Sequence, residues 1–219
     1  RQRVTSVIVI GDQLSTATQP SELHDALKAL PMLANALVRD AVPGQHVAAV
    51  ISGQYRAALA RATALAEQQM RNDGHGPPPV DYAMLVLGSA GRDESLLAAD
   101  QDHAIIYADV SADRSETTQS WFETLGQHVS DYLNLAGIPY CPGGVMSQHS
   151  DWCKPLGGWR KAVSSWVRKA RPEDLLNVDI FFDFVAVYGA QPLAKQLHQA
   201  ISGRATRQGA FLKLLARNA

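Results

Sequence analysis

The sequence predicts an α+β chain in which an N-terminal helical bundle precedes a small mixed sheet flanked by helices. Three observations predict it. Apolar residues recur at helical spacing through residues 20–71. Two short β-rich runs, 84–87 and 103–107, follow one another closely. Further helical stripes and a third apolar run, 177–187, come after them. The predicted division is residues 1–19 as a linker or the remnant of a preceding domain, 20–76 as the bundle, and 77–219 as the sheet-bearing unit with C-terminal helices.

In chain order, residues 4–10 are β-rich and read as a strand ended by Gly11-Asp12. Ser21 is a candidate N-cap for a helix carrying Leu23, Leu27, Leu30, Leu33 and Leu37, with a break at Pro31. Pro43-Gly44 precedes a longer helix over about 46–71, and 72–79 is a breaker-rich connection. Met84 to Leu87 forms a buried strand, Gly88-Ser89 breaks it, 89–98 makes a brief helix, and 103–107 is the next strand. Ser115 caps a helix whose stripe is Trp121, Phe122, Leu125, Val129, Tyr132 and Leu133, stopped at Gly137. Glycines and prolines make 141–158 an ordered loop. A helix with Trp159, Val163, Trp166 and Val167 follows, then 177–187 as a strand buried on both faces. Pro192 opens a helix with Leu193 and Leu197, and Phe211, Leu212, Leu214 and Leu215 belong to a last one.

Composition narrows the function. Twenty Lys plus Arg stand against 21 Asp plus Glu, a net charge of −1, so no bulk affinity for nucleic acid or an acidic membrane is indicated. No apolar run is long enough to span a bilayer. Two cysteines, Cys141 and Cys153, imply no disulfide framework, and the plain expectation is a cytoplasmic protein.

Asp100-Gln101-Asp102 directly precedes the second strand. Alternate side chains of a strand share a face, so the two carboxylates point the same way. Such crowded charges repel unless a cation lies between them, and oxygen-only ligation suits Mg²⁺ or Mn²⁺. The Gly88-Ser89 turn offers backbone N–H groups and a hydroxyl to phosphate. Phosphate cradle and metal ligands in one strand–turn–strand unit outline nucleotidyl transfer.

Gly88-Ser89, ten residues, then Asp100-x-Asp102 resembles the signature of the polymerase-β-type nucleotidyltransferase superfamily. The fuller string Gly88-Ser89-x-Gly91-Arg92-x-Glu94 is similar to the catalytic domain of protein-PII uridylyltransferases. It looks closer still to bacterial nucleotidyltransferases attached to CBS or cyclic-nucleotide-binding domains. Cys141-Pro-Gly-Gly-Val-Met146, Trp152-Cys153, and the run from Asn177 to Tyr188-Gly189 share that resemblance, which covers residues 20–217.

The resemblance implies an NTP substrate, a signalling role, regulatory CBS or cyclic-nucleotide-binding domains in the full-length protein, and a further helical domain. It makes a protein tyrosine one acceptor to consider. It also implies a third catalytic acid and metal ligand. Asp183 is the candidate and Asp179 its rival; Val185 stands where the uridylyltransferases carry Arg. Asp100 and Asp102 would hold the metal, and Gly88, Ser89 and Gly91 the phosphates. Arg92 reads either as a phosphate contact or as a surface ion pair with Asp93 or Glu94, and Glu94 as structural support. Apart from the resemblance, the four tryptophans read as core residues, and Trp152, in the glycine-rich loop, is the only one to consider as a base-stacking platform. A non-catalytic nucleotide-sensing module and a small-molecule nucleotidyltransferase are the alternative readings.

Overall fold

The computed structural model describes residues 2–169 and 172–205. The N-terminal third is helical: α1 (Gln2–Thr16), α2 (Pro20–Leu27), α3 (Leu30–Arg39) and α4 (Gly44–Asn72). Pro31 opens α3, because a proline that would break a helix interior fits its first turn. The expected strand at 4–10 is instead part of α1. Ile10, Leu14 and Ala17 are buried at helical spacing while Ile8 and Val9 face solvent. Packing against the helices that follow overrides the local β propensity, and α1 stands in the same core as α2–α4. Ser21 does not cap α2. Gln19 holds the N-cap position, and the Thr18 N–H donates to Glu22 Oε2 at 2.6 Å.

The sheet has four strands in the order β3-β2-β1-β4. Strands β1 (Tyr82–Val86) and β2 (His103–Tyr107) pair antiparallel with Val86 opposite His103. On the other side of β1, β4 (Val185–Gly189) is antiparallel, with Val86 opposite Val185. The loop expected over 141–158 contains β3 (Cys153–Pro155), parallel to β2. Between the sheet strands lie α5 (Gly88–Gly91), α6 (Ser115–Leu135), α7 (Leu156–Lys169) and α8 (Pro172–Phe181), and α9 (Gln191–Ala205) follows β4. Helix α6 begins at Ser115 with Arg114 as its N-cap, and Gly137 follows its end at φ +92°.

Both central strands are buried on both faces. Met84, Val86, Ile105 and Tyr107 share one core with α1–α4 and α6. The helices before residue 76 therefore cover the sheet rather than standing as an independent bundle. Glu67 of α4 accepts hydrogen bonds from Tyr82 (2.7 Å) and Tyr188 (3.2 Å) and pairs with Arg71, tying α4 to β1 and β4. Ala83, Leu85, Leu87, Ala104 and Ile106 face the opposite way, onto Trp159, Phe181, Phe184 and Leu197.

The run 177–187 is corrected by this arrangement. It is not one buried strand but the end of α8, a turn at 182–184, and β4 at the sheet edge. Val178 and Phe181 are buried at helical spacing whereas Leu176 and Asp179 are exposed. The expected helix over 89–98 is a single turn, since Asp93 takes φ +62° and ends it. The expected last helix with Phe211 lies outside the described residues.

Candidate active site

Pairing Val86 with both His103 and Val185 brings three chain segments to one end of the sheet. These are the Gly88-Ser89 turn after β1, the Asp-x-Asp segment before β2, and the 182–184 turn before β4. Hydrogen bonding continues past the strands, with the Leu87 N–H donating to the Asp102 carbonyl at 2.9 Å. Gly88 sits at φ +54°, and a Cβ there would collide with Asp102 Oδ2. Gly91 is equally confined, because a Cβ would come 2.6 Å from the Asp183 carbonyl oxygen. Both positions demand glycine, the first also for its left-handed backbone.

Asp100 is exposed and Asp102 half-buried. Burial, then the neighbouring Asp100 charge, pushes the Asp102 pKa up to about 6, while the Cys141 thiol and Arg92 oppose the shift. A carboxyl raised by burial and a like charge is the electrostatic situation that a bound cation relieves. The pair supplies oxygen donors of the hard type that Mg²⁺ prefers. Among the described residues, however, no three His, Cys, Asp or Glu side chains are gathered as a metal set. Asp183 is exposed, in the turn rather than on a strand as expected. Its backbone abuts Gly91.

Ser89, half-buried, lines a crevice with Tyr55, Ala99, Asp100 and Asp102. Arg92 Nε donates to Glu94 Oε2 at 2.9 Å, and Nη1 reaches the Asp179 carbonyl at 3.4 Å. The Glu94 carboxylate first, then the charges of Asp179 and Asp183, raise the Arg92 pKa above its ordinary value. Asp93 pairs elsewhere, with Arg56. Trp152 is buried against Trp159, Trp166 and Phe181, so it is a core residue and not a stacking platform. Cys153 is buried in the sheet.

Several residues that sequence reasoning missed hold this site. Helix α4 clamps the loop between Ser89 and Asp100 at three points. Ser52 Oγ accepts the Ser95 N–H (3.0 Å), Tyr55 donates to the Leu97 carbonyl (3.0 Å), and Arg56 donates to the Ala90 carbonyl (2.9 Å). Beneath the acids, Gln101 and His103 are buried, and burial pushes the His103 pKa down to about 3, so the ring is neutral. A glutamine and a histidine alternating with two aspartates, facing the apolar side of a strand, were the one available signal.

Residues 28–173 match the family model described as "Putative nucleotidyltransferase DUF294", well over half of the chain, and the chain belongs to that family. No curated protein matches it.

Proposed function

We propose that this nucleotidyltransferase-family protein moves a nucleoside monophosphate from an NTP to an acceptor hydroxyl, with Mg²⁺ or Mn²⁺ held by Asp100 and Asp102. The observation that carries the reading is the contact of Asp102 with Gly88, which sets a crowded, partly buried carboxylate pair against a side-chain-free turn. A divalent cation bound there would neutralise the charge gathering on the α-phosphate and the leaving pyrophosphate.

The chain's own groups do the rest. Gly88, with no Cβ, lets the Asp102 carboxylate lie against the turn, so a cation held by that acid would sit beside a phosphate gripped by the turn. Ser89 presents a hydroxyl donor, and Arg92 a guanidinium whose fork fits phosphate oxygens. Asp183, at the same sheet end, is the candidate to orient or deprotonate the acceptor hydroxyl; Asp179, on α8, is its rival. The α4 clamps keep the Ser89–Asp100 loop in one shape, which orientation-dependent catalysis requires.

The sequence resemblance supports a cytoplasmic signalling role, with a protein acceptor modified as in PII uridylylation and CBS or cyclic-nucleotide-binding domains as regulatory partners. No membrane is invoked: among the described residues no helix is long and apolar enough to cross one. No nucleic-acid partner is invoked either, given a net charge of −1.

Incubating the protein with Mg²⁺ and each of the four NTPs, with candidate partner proteins present, tests this. The expected result is pyrophosphate release and a nucleotide-sized mass increase on a partner, both lost in Asp102→Asn. One rival is a nucleotide sensor without turnover; among the described residues no third acid is gathered beside Asp100 and Asp102. Tight NTP binding with no pyrophosphate release would establish that rival, and transfer to a small hydroxylated molecule alone would establish a small-molecule enzyme.

A further inference from the structure

The Asp-x-Asp segment carries two further side chains whose polar atoms are all committed. Gln101 Nε2 donates to the carbonyls of Ser130 (3.0 Å) and Ile138 (2.9 Å). Two carbonyl partners leave the amide one orientation, with Oε1 as an acceptor. His103 Nε2 lies 3.1 Å from that oxygen and must carry the proton. His103 Nδ1 is then an acceptor, and it receives the Ser147 N–H (3.2 Å) and hydroxyl (3.0 Å). The direction of donation is thus fixed from Ser147 through His103 and Gln101 to the Ser130 carbonyl on α6.

The backbone repeats the connection. The Gln101 N–H donates to the Pro139 carbonyl and the His103 N–H to the Val145 carbonyl, each at 3.1 Å. Between those two anchors lies Cys141, whose thiol is close enough to the Asp102 carboxylate to lower its pKa. The glycine-rich segment 139–147 therefore grips the acid-bearing segment on alternate residues.

We propose that Gln101, His103 and Ser147 form a positioning relay through which the glycine-rich segment sets the direction of both Asp100 and Asp102. This rests on the reading that those two acids serve the transfer reaction. Side chains alternate along an extended segment, so holding 101 and 103 inward holds 100 and 102 toward the phosphate turn. The relay residues are buried beneath the acids. They act by denying the segment its rotational freedom.

Gln101→Met, His103→Leu and Ser147→Ala break the relay, and His103→Gln keeps a donor near the place of Nε2. Two readouts separate positioning from folding. The first is pyrophosphate release with ATP or UTP, read as kcat and KM. The second is the rate at which iodoacetamide alkylates Cys141 in the nucleotide-free protein, with buried Cys153 as the silent control.

Gln101→Met and His103→Leu should lower kcat by about 10–100-fold, the size expected for ångström-scale misplacement, while KM changes little. Both should speed alkylation of Cys141, because the segment that carries it, anchored at Pro139 and Val145, is loosened. His103→Gln should restore much of both values. Folded variants with wild-type kcat and alkylation rate would overturn the relay, as would a His103→Gln variant no better than His103→Leu. If wild type releases no pyrophosphate while the relay variants still expose Cys141, the transferase reading falls and the coupling of segment to acids stands.

Discussion

Asp102 Oδ2 fills the space that a Cβ on Gly88 would need. The acid and the turn are thus one unit, although thirteen residues separate them in the chain. The turn residue can be only glycine, because it is left-handed at φ +54° and because its neighbour is a carboxylate.

Gly88→Ala should therefore cost about 1–3 kcal/mol of stability through backbone strain and should displace Asp102. Thermal melting and pyrophosphate release measured on the same preparation check it. A variant with normal melting and normal turnover would separate the turn from the acid. Ser89→Ala should weaken triphosphate binding by about 1–3 kcal/mol, the worth of a hydrogen bond to a charged group, with no change in melting. Calorimetric titration with ATP and UTP measures that loss.

The raised pKa of Asp102 predicts a pH dependence with a definite sign. The folded state holds its proton up to about pH 6, whereas the unfolded chain releases it near the ordinary carboxyl value of about 4. The stability contributed by this group is complete below about pH 4 and is lost as pH rises through about 6. Asp102→Asn should melt above wild type at neutral pH, and the gap should close on acidification. Added Mg²⁺ at neutral pH should raise the melting temperature of wild type and not of Asp102→Asn. Turnover by wild type should climb with pH through about 6, as the carboxylate forms. Melting curves across this range, with and without Mg²⁺, test all three; a flat difference would show that Asp102 is not strained by charge.

Arg56 is the strongest of the α4 clamps, since it binds the Ala90 carbonyl and the Asp93 carboxylate together. Arg56→Ala should cost about 1–3 kcal/mol of stability, the usual worth of charge-assisted hydrogen bonds. It should lower kcat about tenfold, by releasing the loop that ends at Asp100. Protease nicking within 92–99 should appear in the variant before any cut in wild type. Equal nicking of the two proteins would mean that the loop holds itself.

Asp183→Asn tests the third acid. If Asp183 serves the acceptor hydroxyl, the variant should bind ATP or UTP with an affinity close to wild type and transfer nothing. Turnover equal to wild type would remove Asp183 from the chemistry and direct the same substitution to Asp179, which lies beside Arg92.

The sequence by itself determined the parts whose signal is local. The strands around 84–87 and 103–107, the Gly88-Ser89 break and the two acids are legible because short apolar runs end abruptly at glycine and aspartate. The break at Pro31 and the long α4 are legible because proline and helical spacing act within a few residues. What crosses the chain was decided by the tertiary structure. Residues 4–10 and 177–181 have β-rich composition, yet they are helical because burying Ile10, Leu14, Val178 and Phe181 on one face outweighs local propensity. Asp183 left the strand for the turn on the same account. The supports of the site, Ser52 to Ser95, Tyr55 to Leu97 and His103 to Ser147, join residues more than forty positions apart. No periodicity encodes such a pairing; it exists only once two buried cores have pressed α4 and the glycine-rich segment against the sheet end.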